Sequence, residues 1–275
     1  MSFEHAIGLG VAGNFAGHLE QAGEANDFRD LKIEDPRAPK GVFPFYVPAA
    51  GEHFLHVYPV SADRIRLSSD DEKHQIEPEI SILCDLEYVG GHVIRITPRE
   101  AMAHNDCSIR REGAKKISEK KNWGVETKGT SDQRIPLDRF SSGGILDDYR
   151  IVCFLLRDGE LFEYGVDSPA ASYSYMYEEL LAWLVEKLNE QTDKGPLENI
   201  SEWLRVAGHP EQALISIGAT RYTSFGEKNF LARGDQSIVA VYDGRLYDLN
   251  TLSRIARGGV VTPSDGLSLL RQTVV

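Results

Sequence analysis

The sequence predicts an α+β fold in which β structure dominates and the helices are few. Three observations carry this. Short strand-like runs recur between residues 53 and 165, one stretch (173–191) has clear helical periodicity, and the two kinds of segment do not alternate as a βαβ chain requires.

Taken in order, residues 3–11 read as a short buried strand ending in glycines, and 15–25 as a short helix. Residues 26–50 read as an irregular, Pro-rich connection. Strands are predicted at 53–60, 76–84, 92–97, 149–157 and 160–164, with Asp158-Gly159 marking a tight hairpin turn between the last two. In "YSYMYEELLAWLVEKLNEQ" the apolar residues at 176, 180, 181, 184, 185 and 188 repeat at helical spacing, which places them against a core. A second helix is predicted over 197–207, then strands at 212–218 and 236–242. No internal repeat and no low-complexity linker interrupts the chain.

The 275 residues suffice for one large domain or two smaller ones, and 41% hydrophobic with 26% charged residues is a globular composition. A net charge of −12 argues against nucleic acid or an anionic membrane as partner. The basic run "RREGAKKISEKK" at 110–121 is the local exception; it reads as a solvated helix face or as a basic rim around an anionic ligand. Cys84, Cys107 and Cys153 have no metal or redox spacing, which suits a reducing compartment. No apolar run is long enough to span a membrane, and the N-terminus lacks signal-peptide character. The expected location is cytoplasmic.

Two stretches bear on chemistry. In "HQIEPEISIL" the strand period puts Glu77 and Glu79 on one face, with Pro78 between them. Such a pair is at ease either in water, at the solvated start of a strand, or around a cation. Asp106, in "AMAHNDCSIRR", is able to join them if two strands lie side by side; otherwise Asn105-Asp106 is a turn that bonds its own backbone. Three carboxylates without a softer ligand would select Mg²⁺, or Mn²⁺ or Ca²⁺. The glycines of "GLGVAG" (Gly8, Gly10, Gly13) match G-x-G-x-x-G, but no helix leading into a second parallel strand follows, so nucleotide binding is not expected.

Several segments, in order, resemble the fumarylacetoacetate hydrolase family. "GNFAGHLEQAGE" is similar to its N-Y-x-x-H-x-x-E segment, "IEPEISIL" to its E-x-E metal strand, "HNDCSIR" to N-D-x-S-x-R, and "KNWGVETKG" to its K-S-F run. "VCFLLRDGELFEYGVDS", "LISIGATRYTSFG" and "LARGDQSIVAVYDG" resemble the later strand–turn–strand, G-T-P and P-G-D segments. The resemblance implies one catalytic domain over 1–275, a mixed β-sandwich roll with peripheral helices, in which 1–50 supply the N-terminal strand, a lid and a connection; the glycine-flanked segment Gly13 to Gly23 motivates placing a mobile lid over 15–30. It also implies a homodimer.

The resemblance further implies that Glu77, Glu79 and Asp106 hold the metal, and that His18, Glu20 and Lys121 are catalytic. Arg110, Gly218 and Thr220 would bind a small 2-keto or 1,3-dicarbonyl acid. The implied reaction is metal-dependent hydrolysis of a C–C bond through an enolate. Decarboxylation, isomerisation and hydration on the same fold are alternatives, as is a non-catalytic binder. Three departures stand out. The acid three residues after the histidine is Gln21, so its role would fall to Glu20 or Glu24; the lysine of the proline segment is replaced at Val47; and G-T-P becomes Gly218-Ala219-Thr220.

Overall fold

A computed structural model describes residues 3–24, 28, 35–111, 113–259 and 266–275. The strands, in chain order, are β1 (Ile7–Ala12), β2 (Gly41–Tyr46), β3 (Val60–Ser61), β4 (Arg64–Ile65) and β5 (His74–Gln75). They continue with β6 (Pro78–Val89), β7 (His92–Asn105), β8 (Ser108–Ile109), β9 (Lys128–Thr130) and β10 (Ile135–Pro136). The last are β11 (Tyr149–Arg157), β12 (Glu160–Pro169), β13 (Gln212–Ser216), β14 (Gln236–Asp243) and β15 (Leu267–Val274). The α-helices are α1 (His18–Gln21), α2 (Tyr177–Glu190), α3 (Ile200–Val206) and α4 (Leu249–Ala256).

Two mixed sheets form the body. One runs β2-β1-β13-β6-β7-β9-β3, with β10 also on β7; the other runs β12-β11-β14-β15-β4. Parallel pairs (β1 with β13, β3 with β9, β15 with β4) sit among antiparallel ones. One apolar cluster joins Leu9, Ile80 and Ile82 of the first sheet to Ile151, Val239 and Val241 of the second, and takes in Leu180, Leu184 and Leu188 of α2. The outer face of the second sheet is covered by Leu252, Ile255 and Ala256 of α4. This is the β-rich, curled mixed sheet with peripheral helices that the sequence predicts.

The differences have local causes. Residues 53–60 are not a strand: the His53 side chain accepts from Leu55 N–H at 3.3 Å and starts a 3₁₀ turn over Phe54–His56, and only Val60–Ser61 pairs. Part of the supposed 26–50 connection is a strand, β2, at the sheet's edge, where Pro44 need not donate outwards. The helix expected over 15–25 shrinks to one turn because Gly17 and Gly23 sit at φ 83° and 72°. The N-terminal glycines have a packing role. A Cβ on Gly8 would come within 2.3 Å of the Phe45 ring, and one on Gly10 within 2.2 Å of Phe43, so bare backbone on β1 receives two rings from β2.

Candidate metal and acid–base site

The antiparallel register of β6 and β7 builds the site. Pro78 pairs with Asn105, so Glu77 lies just before one strand and Asp106 just after the other, at the same sheet end. Asp106 N–H donates to the Glu77 carbonyl at 3.0 Å, and Glu77 N–H donates to Asn105 Oδ1 at 3.2 Å. One carboxylate oxygen from each of Glu77, Glu79 and Asp106 lies within 4.8 Å of the others. All three residues are buried (3%, 2% and 0% exposed), which removes the reading of two solvated glutamates.

Cations surround two of the three. Lys121 Nζ donates to Glu77 Oε2 at 2.6 Å and also to Asp106 Oδ2. Arg110 Nη2 lies 2.6 Å from Glu77 Oε1, and Lys128 Nζ lies 2.8 Å from Asp106 Oδ1. Glu79 instead accepts the Gly218 N–H at 2.8 Å. The titrations follow from this. Burial pushes Glu77 upwards, but Lys121 and Arg110 overcome it and hold the carboxyl well below its ordinary value. Burial and the Asp106 charge drive Glu79 well above its own. Lys121, which burial alone would push down, is raised by Asp106 and Glu77.

His18 completes the wall. It is buried on α1, and its Nδ1 lies 2.8 Å from the Thr220 carbonyl. A carbonyl only accepts, so Nδ1 carries the proton and Nε2 keeps the lone pair. Burial lowers the His18 pKa, with Glu77 and Glu24 opposing and Arg110 and Lys121 reinforcing the shift. The imidazole is therefore held neutral. Gln21 exchanges both amide hydrogen bonds with the Tyr222 backbone (2.9 and 3.1 Å), pinning α1 to the 220–222 loop. A glutamate would be unable to donate the second.

A small cavity of about 20 Å³ is lined by His18, Glu24, Glu77, Glu79, Asp106 and Lys121. Leu19, Phe28, Phe43 and Ile117 pack together over it. Outside lies a cleft of about 500 Å³, lined among others by Glu20, Lys73, Arg110, Arg111 and Lys120. Glu24 lines both spaces and is ion-paired to Arg110 at 2.8 Å.

The structure thus brings together Glu77, Glu79, Asp106, His18 and Lys121, and it gives the other expected residues the following surroundings. Glu20 is exposed on the outer cleft, whereas Glu24, the other acid open to that role, lines the cavity with His18. Gly218 binds Glu79, while Thr220 bonds Pro78 and His18, so both position protein groups. Arg110 is likewise engaged with Glu24, Gln75, Glu77 and Tyr222. Part of the expected lid (25–27 and 29–30) lies outside the described residues; His18 itself already stands at the cavity wall. Lys128 was missed. It sits in "VETKG", seven residues beyond the lysine that sequence likeness selected, and only the pairing of Gly129 with Asn105 shows that β9 carries it to Asp106.

The donor set suits a hard divalent cation. It offers oxygen ligands alone, and burial together with the Asp106 charge pushes the Glu79 carboxyl towards neutrality against the pull of Lys121, a cost that a bound cation would relieve.

This architecture is the fold of the fumarylacetoacetate hydrolase-like proteins. A 5-carboxymethyl-2-hydroxymuconate delta-isomerase from Mycobacterium smegmatis matches with a TM-score of 0.52 at 13% identity, over 98% of this chain and 78% of that one. A protein of the fumarylacetoacetate hydrolase family from Yersinia pestis CO92 matches with a TM-score of 0.53 at 10% identity, over 98% and 93%. A 2-keto-3-deoxy-D-arabinonate dehydratase complexed with magnesium and 2,5-dioxopentanoate matches with a TM-score of 0.52 at 12% identity, over 98% and 73%. No curated protein matches in sequence. By sequence the chain belongs to a family of unknown function, DUF5718, matched over residues 24–274. What it shares with the fumarylacetoacetate hydrolase-like structures, at 10–16% identity, is the fold.

Proposed function

We propose that this chain is a cytoplasmic, metal-dependent enzyme acting on a small 2-keto or 1,3-dicarbonyl acid, with hydrolysis of a C–C bond as its reaction. The observation that carries the reading is the convergence of three buried carboxylates beside a neutral, oriented histidine. Glu77, Glu79 and Asp106 would hold Mg²⁺, or Mn²⁺ or Ca²⁺. Such an ion supplies Lewis-acid polarisation of two substrate oxygens.

The chain's own groups do the rest. His18 Nε2 takes a proton from water, and the Thr220 carbonyl fixes the tautomer that makes this possible. Arg110 and Lys121 place two cations where a substrate carboxylate or a developing oxyanion is stabilised. Glu24 sits between cleft and cavity, so substrate reaches His18 by movement of the Gly13–Gly23 segment, whose Gly13, Gly17 and Gly23 all have positive φ. Isomerisation or decarboxylation needs no activated water and is the alternative favoured by Gln21, whose amide is spent on the Tyr222 backbone. By the same likeness the proposal extends to a homodimer, for which light scattering should give twice 30.6 kDa.

The test is a panel of 2-keto and 2,4-dioxo acids, assayed with and without Mg²⁺ and resolved by product. Mg²⁺-dependent turnover that Glu79→Ala abolishes supports the reading. Metal-independent turnover, or none across the panel, overturns it.

A further inference from the structure

Cations already face the oxygens of two candidate ligands, but among the described residues only Glu77 Oε2 and Asp106 Oδ2 accept a hydrogen bond, both from Lys121. Glu77 Oε1 faces Arg110 at 2.6 Å and Glu77 Oε2 faces Lys121 at 2.6 Å; Asp106 Oδ1 faces Lys128 at 2.8 Å and Asp106 Oδ2 faces Lys121. A divalent ion must reach the same atoms, at about 2.0–2.6 Å. A carboxylate oxygen has more than one lone pair, so position decides: an ion that bridges Glu77 Oε2 and Asp106 Oδ2 would occupy the point where the Lys121 ammonium sits.

The three cations are not equally anchored. Arg110 is also bonded to Glu24, Gln75 and Tyr222, so its guanidinium stays when one contact is lost. Lys128 donates to the Cys107 carbonyl as well, and it lies on a strand inside the sheet. Among the described residues, the Lys121 ammonium bonds only Glu77 and Asp106, with the Phe43 ring 5.0 Å away. It rides on the C-cap of a 3₁₀ turn (Ile117–Lys120), not on a strand. Its flexible stem and compact charge suit it to move. Glu24, on the same cavity wall, is the next carboxylate available to it.

We propose that Lys121 is a built-in cation of the carboxylate trio: its ammonium occupies the position between Glu77 and Asp106, a divalent ion enters only by displacing it, and Lys121 thereby sets how weakly the protein binds metal. The inference rests on the metal reading above and deepens it. With metal absent, Lys121 keeps two buried carboxylates compensated, so the folded protein does not depend on the ion. The displaced ammonium is then released beside the substrate.

Mn²⁺ is the probe, titrated into metal-stripped protein and followed by the electron paramagnetic resonance of the free ion. Lys121→Met and Lys121→Gln should each bind Mn²⁺ at least about tenfold more tightly than the wild type, since the ion then meets uncompensated carboxylates. Mn²⁺ should also raise the melting temperature of both variants by more than that of the wild type. Lys121→Gln keeps the length and a hydrogen-bonding head, so it reports if Lys121→Met does not fold. Equal or weaker Mn²⁺ binding in the folded variant overturns this inference and leaves the metal reading standing. Absence of binding in the wild type and both variants overturns the two together.

Discussion

Lys128→Met, measured in metal-stripped protein, tests how the site is held together. Lys128 and Asp106 are both fully buried, 2.8 Å apart, and the same ammonium donates to the Cys107 carbonyl. Removing it leaves Asp106 Oδ1 and that carbonyl without their partner. Breaking a buried ion pair from one side typically costs about 3–5 kcal/mol. Lys121 still compensates Asp106 through Oδ2, which places the charge loss near the lower end, about 3 kcal/mol. The stranded carbonyl adds about 1 kcal/mol. A loss of about 4 kcal/mol lowers the melting temperature by roughly 10 °C in a chain of this size. The assay is urea denaturation and calorimetry at pH 7. Lys128→Met combined with Asp106→Leu should recover part of the loss, because an apolar pair needs no compensation. A loss below about 1 kcal/mol for Lys128→Met refutes the reasoning, since a pair this buried has no solvent to fall back on.

His18→Ala should lower turnover by about 100-fold or more with the fold intact, as expected for a general base; full activity would exclude that role. Glu24→Gln should alter the pH profile of turnover while Glu20→Gln leaves it unchanged, because only Glu24 reaches the cavity; the reverse pattern would restore Glu20. Glu198 is buried, and its pKa is raised by that burial from 4.5 to about 7, with the Ser118 hydrogen bond opposing. The folded form thus binds more protons than the unfolded form between these values. Stability present at pH 4.5 is lost as the pH rises to 7, by about 3 kcal/mol, and is flat above. Glu198→Gln should abolish the slope in denaturation curves taken across that range, and parallel curves would contradict the assignment. Gly10→Ala should destabilise by about 1–3 kcal/mol by forcing the Phe43 ring aside. An unperturbed melting temperature would show that the ring moves freely.

Much of this protein is legible along the chain. Asp158-Gly159 turns β11 into β12 with φ of 52° and 80°, because that dipeptide tolerates the left-handed geometry a tight hairpin needs. Leu180, Leu184 and Leu188 repeat every four residues, and helical periodicity alone puts them on one buried stripe. Glu77 and Glu79, two apart, share a face for the same local reason. What the sequence could not decide is whom those residues meet. β2 hides behind Pro44 and an edge position, and β15 is defined by its pairing with β14 and β4, because β pairing rewards contacts far along the chain. Asp106 joins Glu77 only through the register of β6 on β7, and Lys128 joins Asp106 only through β9. Glu24 displaces Glu20 because Arg110, 86 residues away, holds it at the cavity wall. Local sequence sets the direction in which a side chain points; the charges that decide its protonation and role arrive from distant strands.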